Sequence, residues 1–163
     1  MKISRNLSRA IAMLAALTLV GAARGAAGDH YGLAADNKIV AQGLVNEIMA
    51  AHPGLVAAGM HCVPPGGHAQ VIIASTLDVI GKPSDPEDIL RGTTVISPSR
   101  KAPKLGIMLP LHDKNGQEIG SLALQFRYSP GEDQVKYFAE ATAIRESVAQ
   151  KIPDLDSLFS PSP

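Results

Sequence analysis

Leu105-Gly106-Ile107-Met108-Leu109-Pro110-Leu111-His112, then Asp113-Lys114-Asn115-Gly116, then Gln117 to Tyr128, reads as strand, tight turn, strand. Asn-Gly between two apolar runs is among the strongest short hairpin signals, because the turn needs positive φ and glycine supplies it without steric cost. The return strand carries Ile119, Leu122, Ala123, Leu124 and Phe126, and Gly120 within it marks a close backbone approach or a bulge. Both strands are apolar on both faces over part of their length, which predicts a sheet covered on both sides.

Upstream, Leu55 to Val63 and Val71-Ile72-Ile73-Ala74-Ser75-Thr76 flank Pro64-Pro65-Gly66-Gly67 and read as hairpin partners. A short strand is expected within Thr93 to Ile96. Between Asp36 and Ala51, Val40, Leu44, Val45, Ile48 and Met49 fall at helical spacing, with Asp36 as N-cap and His52-Pro53-Gly54 as the stop. Glu132 to Ile152 is a second helix with Tyr137, Ala141, Ile144, Val148 and Ile152 as its buried stripe. Pro153 ends it, and Leu155, Leu158 and Phe159 are placed to fold back. The middle, Gly81 to Lys104, is an excursion. Ser84 and Glu87 have capping-box spacing, and Asp85, Glu87 and Asp88 crowd the first turn of a short helix ending at Gly92. Arg100, Lys101 and Lys104 read as a solvated basic loop. Strands joined by tight turns and not by crossover helices predict an α+β fold. The expected architecture is an antiparallel sheet of about five strands with long N- and C-terminal helices. The terminal helices would cover one face and the middle excursion the other.

The first 25 residues read differently. Lys2, Arg5 and Arg9 precede the apolar run Ala10 to Val20, and small residues follow through Ala27. This is the three-part build of a secretory signal peptide, with cleavage after Gly25 or Ala27. Residues 26–35 are then a leader, 36–159 the domain and 160–163 a tail. No further stretch is apolar enough to span a membrane, so a periplasmic or secreted protein without a transmembrane segment is expected. The whole chain of 163 residues balances 15 basic against 15 acidic side chains. Lys2, Arg5, Arg9 and Arg24 leave with the signal, and 15 less 4 gives 11 basic against 15 acidic residues, a formal charge of −4. An acidic domain without a basic stripe is not built for nucleic acid. One cysteine excludes a disulfide framework and the usual structural zinc sites.

His61-Cys62 is the most reactive-looking pair, and a thiol beside an imidazole suggests a nucleophile, a redox centre or a haem ligand. Neighbours on a strand point to opposite faces, so they cannot act together, and Cys62 reads more simply as a small core hydrophobe. His61 could face a pocket and titrate. No Cys-x-x-Cys-His occurs, which excludes c-type haem, and no cofactor is expected. The five histidines form no ligand cluster, and the paired acids at positions 85–88 are explained by helix capping. No phosphate loop and no Gly-x-Ser-x-Gly elbow is present. Arg127 shares its strand face with Gln125 and Ser121, making that face the polar one, and a guanidinium there suits a carboxylate. Ser75, Lys82 and Arg91 bracket the excursion and are further candidate ligand-binding residues.

Two passages carry a family resemblance. Ile73-Ala74-Ser75-Thr76-Leu77-Asp78-Val79-Ile80-Gly81-Lys82-Pro83-Ser84-Asp85-Pro86-Glu87-Asp88 is similar to the strand-then-excursion passage of single Cache domains, which are PAS-like extracytoplasmic sensors. Met108 to Leu122 resembles the Pro-Asp-Gly hairpin shared by Cache and related sensor folds. The resemblance spans about residues 36–152 and implies non-catalytic binding of a small organic ligand such as a carboxylate. Signalling would pass to a separate membrane-bound partner. The alternatives are an interaction or structural domain whose pocket has filled in, and a redox or haem protein using Cys62 and His61.

Overall fold

The computed structural model describes residues 37–84 and 92–162. The expected signal segment and leader, the Asp36 cap, the acids at 85–88, Arg91 and Pro163 lie outside them. The elements run α1 (Val40–Ala51), β1 (Leu55–Cys62), β2 (Val71–Ser75), β3 (Val95–Pro98), β4 (Lys104–His112), β5 (Glu118–Arg127) and α2 (Gln134–Ala149), closed by a 3₁₀ turn at Asp156–Phe159. The five strands form one antiparallel sheet in the order β2-β1-β5-β4-β3. The α+β architecture with an antiparallel sheet of five strands is as expected. The helices have 12 and 16 residues.

The β4–β5 hairpin forms where the Asn-Gly signal sits. Gly116 takes φ +83°, and one Asp113 carboxylate oxygen accepts from the backbone N–H of Asn115 and of Gln117. Gly120 is needed for space: a Cβ there would stand 2.1 Å from the carbonyl oxygen of His61 on the neighbouring strand.

Both helices pack on the same face of the sheet. Leu44, Val45 and Ile48 of α1 and Ala141, Ile144 and Val148 of α2 meet Met60, Cys62, Leu105, Ile107, Leu109, Leu111, Leu122, Leu124 and Phe126 in one core. The helix dipeptide spacing and the period-2 alternation of β4 and β5 therefore aim at a single interior. Tyr137 seats the first turns of α2 against Phe126 of β5 and Tyr128 just beyond it through tilted and edge-on ring contacts.

Helix α1 starts at Val40, later than the sequence reading placed it, because its first turn is capped by the chain's other end. The Val40 N–H donates to the Ser160 carbonyl at 2.9 Å, Ser162 N–H donates to the Lys38 carbonyl, and Ile39 pairs with Pro161. The Ser160 carbonyl thus satisfies one helix donor, the Val40 N–H, that would otherwise lack a partner. Helix α2 starts two residues later than expected, where Asp133 accepts from the Val135 N–H. The buried Gln42 side chain clamps the end of β2 by accepting from the Ser75 N–H at 3.0 Å and donating to the Ser75 carbonyl at 3.2 Å.

The excursion begins by closing a sheet edge. Residues 81–84 run beside β2, with Ile72 N–H donating to Lys82 and Gly81 N–H donating to Ile72, so the outer edge of β2 is hydrogen-bonded. The Ser84 hydroxyl meets His61 Nδ1 at 2.7 Å, and the rest of the expected capping box, Glu87 included, lies outside the described residues. Leu77 and Val79, which lead from β2 into the excursion, line the sheet face opposite the helices.

Candidate functional site

The face of the sheet opposite α1 and α2 carries an open groove, and small side chains create it. Ala57 and Gly59 of β1, Gly106 of β4 and Ala123 of β5 leave the floor low where the opposite face has leucines. A bulge at Val56 makes this possible. Leu55 pairs with Phe126 and belongs to the core, whereas Ala57 pairs with Gln125 and faces the groove. The extra residue changes the phase of the alternation.

Three adjoining hollows make up the groove, and Gln125 lines all of them. The largest, about 380 Å³, lies among Val56, Ala57, Leu77, Lys104, Gln125 and Arg127. It falls within the range of small-molecule sites, roughly 300–1,000 Å³. A second of about 200 Å³ continues past Ala123 and Met108 to Ile72 and His61. A third of about 200 Å³ opens sideways toward Val95 and Ser97 of β3.

At one end Lys104 stands directly opposite Arg127 in the β4–β5 register, and its ammonium donates to Gln125 Oε1 at 3.1 Å. At the other end His61 is 8% exposed, and its Nδ1 lies 2.7 Å from Ser84 Oγ. Desolvation by burial lowers the His61 pKa to about 4, so the imidazole is neutral at neutral pH. His61 pairs with Ser121, whose buried hydroxyl has no partner among the described residues.

The candidate residues from the sequence divide accordingly. Arg127, Gln125, His61 and Ser75 all border the groove. They do not converge on one point. His61 is level with Ser121, six positions from Arg127 along β5, or roughly 20 Å of strand. Arg127 and His61 therefore bound opposite ends of the groove. Ser75 ends β2, its hydroxyl accepting from the Leu77 N–H at 2.9 Å. Lys82 lies away from the groove, exposed, with its ammonium on the Asp78 carbonyl. Arg91 is outside the described residues. Lys104, read from the sequence as part of a solvated loop, is a strand residue facing the groove.

Cys62 points the other way. It is fully buried in the core, and burial pushes its thiol pKa up to about 12. A protonated thiol packed among aliphatic side chains has neither the exposure nor the thiolate fraction that nucleophilic or redox chemistry needs. Among the described residues the groove is not filled by large side chains. Among the described residues no helix is long and apolar enough to cross a membrane.

No family model matches the chain, and no curated protein matches it. Among solved structures, the type II free methionine-R-sulfoxide reductase from Thermoplasma acidophilum aligns with a TM-score of 0.49 and 13% identity, over 74% of this chain and 92% of that chain.

Proposed function

We propose that this protein is an exported, non-catalytic small-molecule-binding domain of the PAS-like sensor type, handing its ligand state to a separate membrane-bound partner. The observation that carries this reading is the groove: a low floor of Ala57, Gly59, Gly106 and Ala123, apolar walls, and a few polar groups at its ends. That is the make-up of a ligand site, where apolar surface supplies affinity and sparse polar groups fix orientation. The antiparallel order β2-β1-β5-β4-β3 is consistent with the sensor fold that the two sequence passages resemble. The basic, apolar and small-residue sequence of the first 27 positions supports export.

The test is a thermal-shift screen of the purified protein against organic acids, amino acids and haem, repeated on Ala123→Leu, which fills the groove floor. A hit on the native protein that Ala123→Leu weakens at least tenfold, with unfolding midpoints otherwise matched, supports the reading. Binding that survives the substitution places the ligand elsewhere and removes the groove as the site.

A further inference from the structure

Two cations in the groove face each other across a strand pair without a counter-ion among the described residues. The Tyr128 N–H donates to the Pro103 carbonyl at 3.0 Å, and the Arg127 N–H turns to Gly54 on the other side. Lys104 and Arg127 therefore form a non-hydrogen-bonded pair, the kind whose Cα atoms are only about 4.5 Å apart. Like charges directly opposite each other destabilise a sheet. Among the described residues the ion pairs involve other groups, and neither Lys104 nor Arg127 has a carboxylate within 4.0 Å. Lys104 meets only the Gln125 amide oxygen, which leaves the Gln125 amide nitrogen as a further donor in the same corner.

Next to this cationic corner the groove turns apolar. Val56 and Leu77 are 40% and 44% exposed, both unusually open for large aliphatic side chains, and both wall the largest hollow. The apolar strip continues over Ala57 and Ala123 to Met108 and Val79. Beyond it stands His61, neutral and already engaged with Ser84. One end of the groove is thus charged and the remainder is not.

We propose that the ligand is a medium-chain monocarboxylate, its head group held by Lys104, Arg127 and Gln125 and its alkyl chain laid over Ala57, Leu77 and Ala123 toward Met108. The proposal rests on the groove being the ligand site and names the class it takes. A carboxylate accepts from a guanidinium and an ammonium together and supplies the charge the pair lacks. An alkyl chain removes Val56 and Leu77 from water, which is the larger source of affinity. Positions 123 and 127 are separated by about 13 Å along the strand, a length matched by octanoate to decanoate. A ligand charged at both ends would bring its second charge to an apolar strip and a neutral imidazole.

Calorimetric titration and thermal shift on the purified protein with octanoate, octanol and octylamine test this, with Lys104→Gln/Arg127→Gln and Ala123→Leu as variants. The cation substitutions are at solvent-accessible strand positions, so folding is checked by their melting curves and is expected to be retained. Octanoate should bind the native protein at least tenfold more tightly than octanol, and octylamine should not bind. The double variant should lose at least tenfold for octanoate and keep its affinity for octanol, and Ala123→Leu should weaken both. Octanoate and octanol binding alike, or octanoate unaffected by the double variant, overturns the head-group assignment while leaving the groove as a site. No binding of octanoate or octanol to the native protein overturns the monocarboxylate proposal, and the wider ligand screen then decides the groove itself.

Discussion

The two faces of the sheet are made from alternate residues of the same strands, yet they do opposite work. On the helix side, β4 and β5 present Leu105, Ile107, Leu109, Leu122, Leu124 and Phe126, all essentially inaccessible to water. On the groove side, the intervening positions of the same strands are Lys104, Gly106, Met108, Ala123, Gln125 and Arg127. A face that holds the fold together needs volume and uniform apolarity, because its interior is packed to crystal-like density. A face that holds a ligand needs room and a few donors. The comparison assigns stability to one set of residues and recognition to the other, and substitutions can break that division.

The largest effect is expected on the helix side. Phe126→Ala removes a 1% exposed ring that touches Tyr137 and should lower unfolding free energy by about 3–5 kcal/mol in urea titrations. On the groove side of the same hairpin, Gly106→Ala adds a methyl whose nearest contact is the Ser97 carbonyl at 3.6 Å, an ordinary separation. Its effect should stay within about 0.5 kcal/mol. Comparable losses from the two would mean the groove face is as tightly packed as the core.

The second expected effect belongs to His61, the groove-face residue that is nevertheless buried. Its folded-state pKa of about 4 lies below the ordinary 6.5, so the unfolded chain binds more protons between those values. Stability from this group is fully present above pH 6.5 and is lost as pH falls through 6.5 toward 4, by at most about 3 kcal/mol. Urea midpoints measured across that window should fall with pH, and His61→Gln should flatten that part of the slope. An unchanged slope in the variant would place the acid sensitivity in other groups.

How much of this was readable from the chain depends on local signals. The hairpin turn, the two strand pairs, the helical stripes and the polar character of the Arg127–Gln125 face follow from period and turn chemistry, which act over a few residues. Lys104 was hidden by its place at the start of a strand: it follows Pro103 and precedes the apolar run from Leu105, so residue type alone assigns it to the basic loop, whereas β4 begins at Lys104. The late start of α1 was hidden for a different reason: its capping partner, Ser160, is more than a hundred residues away. Likewise the distance between Arg127 and His61 is a property of strand register, which residue types alone do not carry.

The third effect, smaller than those at Phe126 and His61, and the sharpest separation of the two faces, is expected at Cys62. It is adjacent to His61 in sequence and opposite to it in space, with its side chain in the core and its thiol held protonated. Cys62→Ala removes one sulfur atom from an otherwise intact interior, which should cost only about 1 kcal/mol and leave ligand affinity unchanged. Thiol-labelling reagents should react with the native protein only as fast as it opens, and at the full rate in denaturant, because access to the core is the limiting step. Labelling that is rapid in native conditions, or ligand binding lost with Cys62→Ala, would move the chemistry from the groove to the core face and restore the thiol-centred alternative. The two faces would then no longer divide recognition from stability.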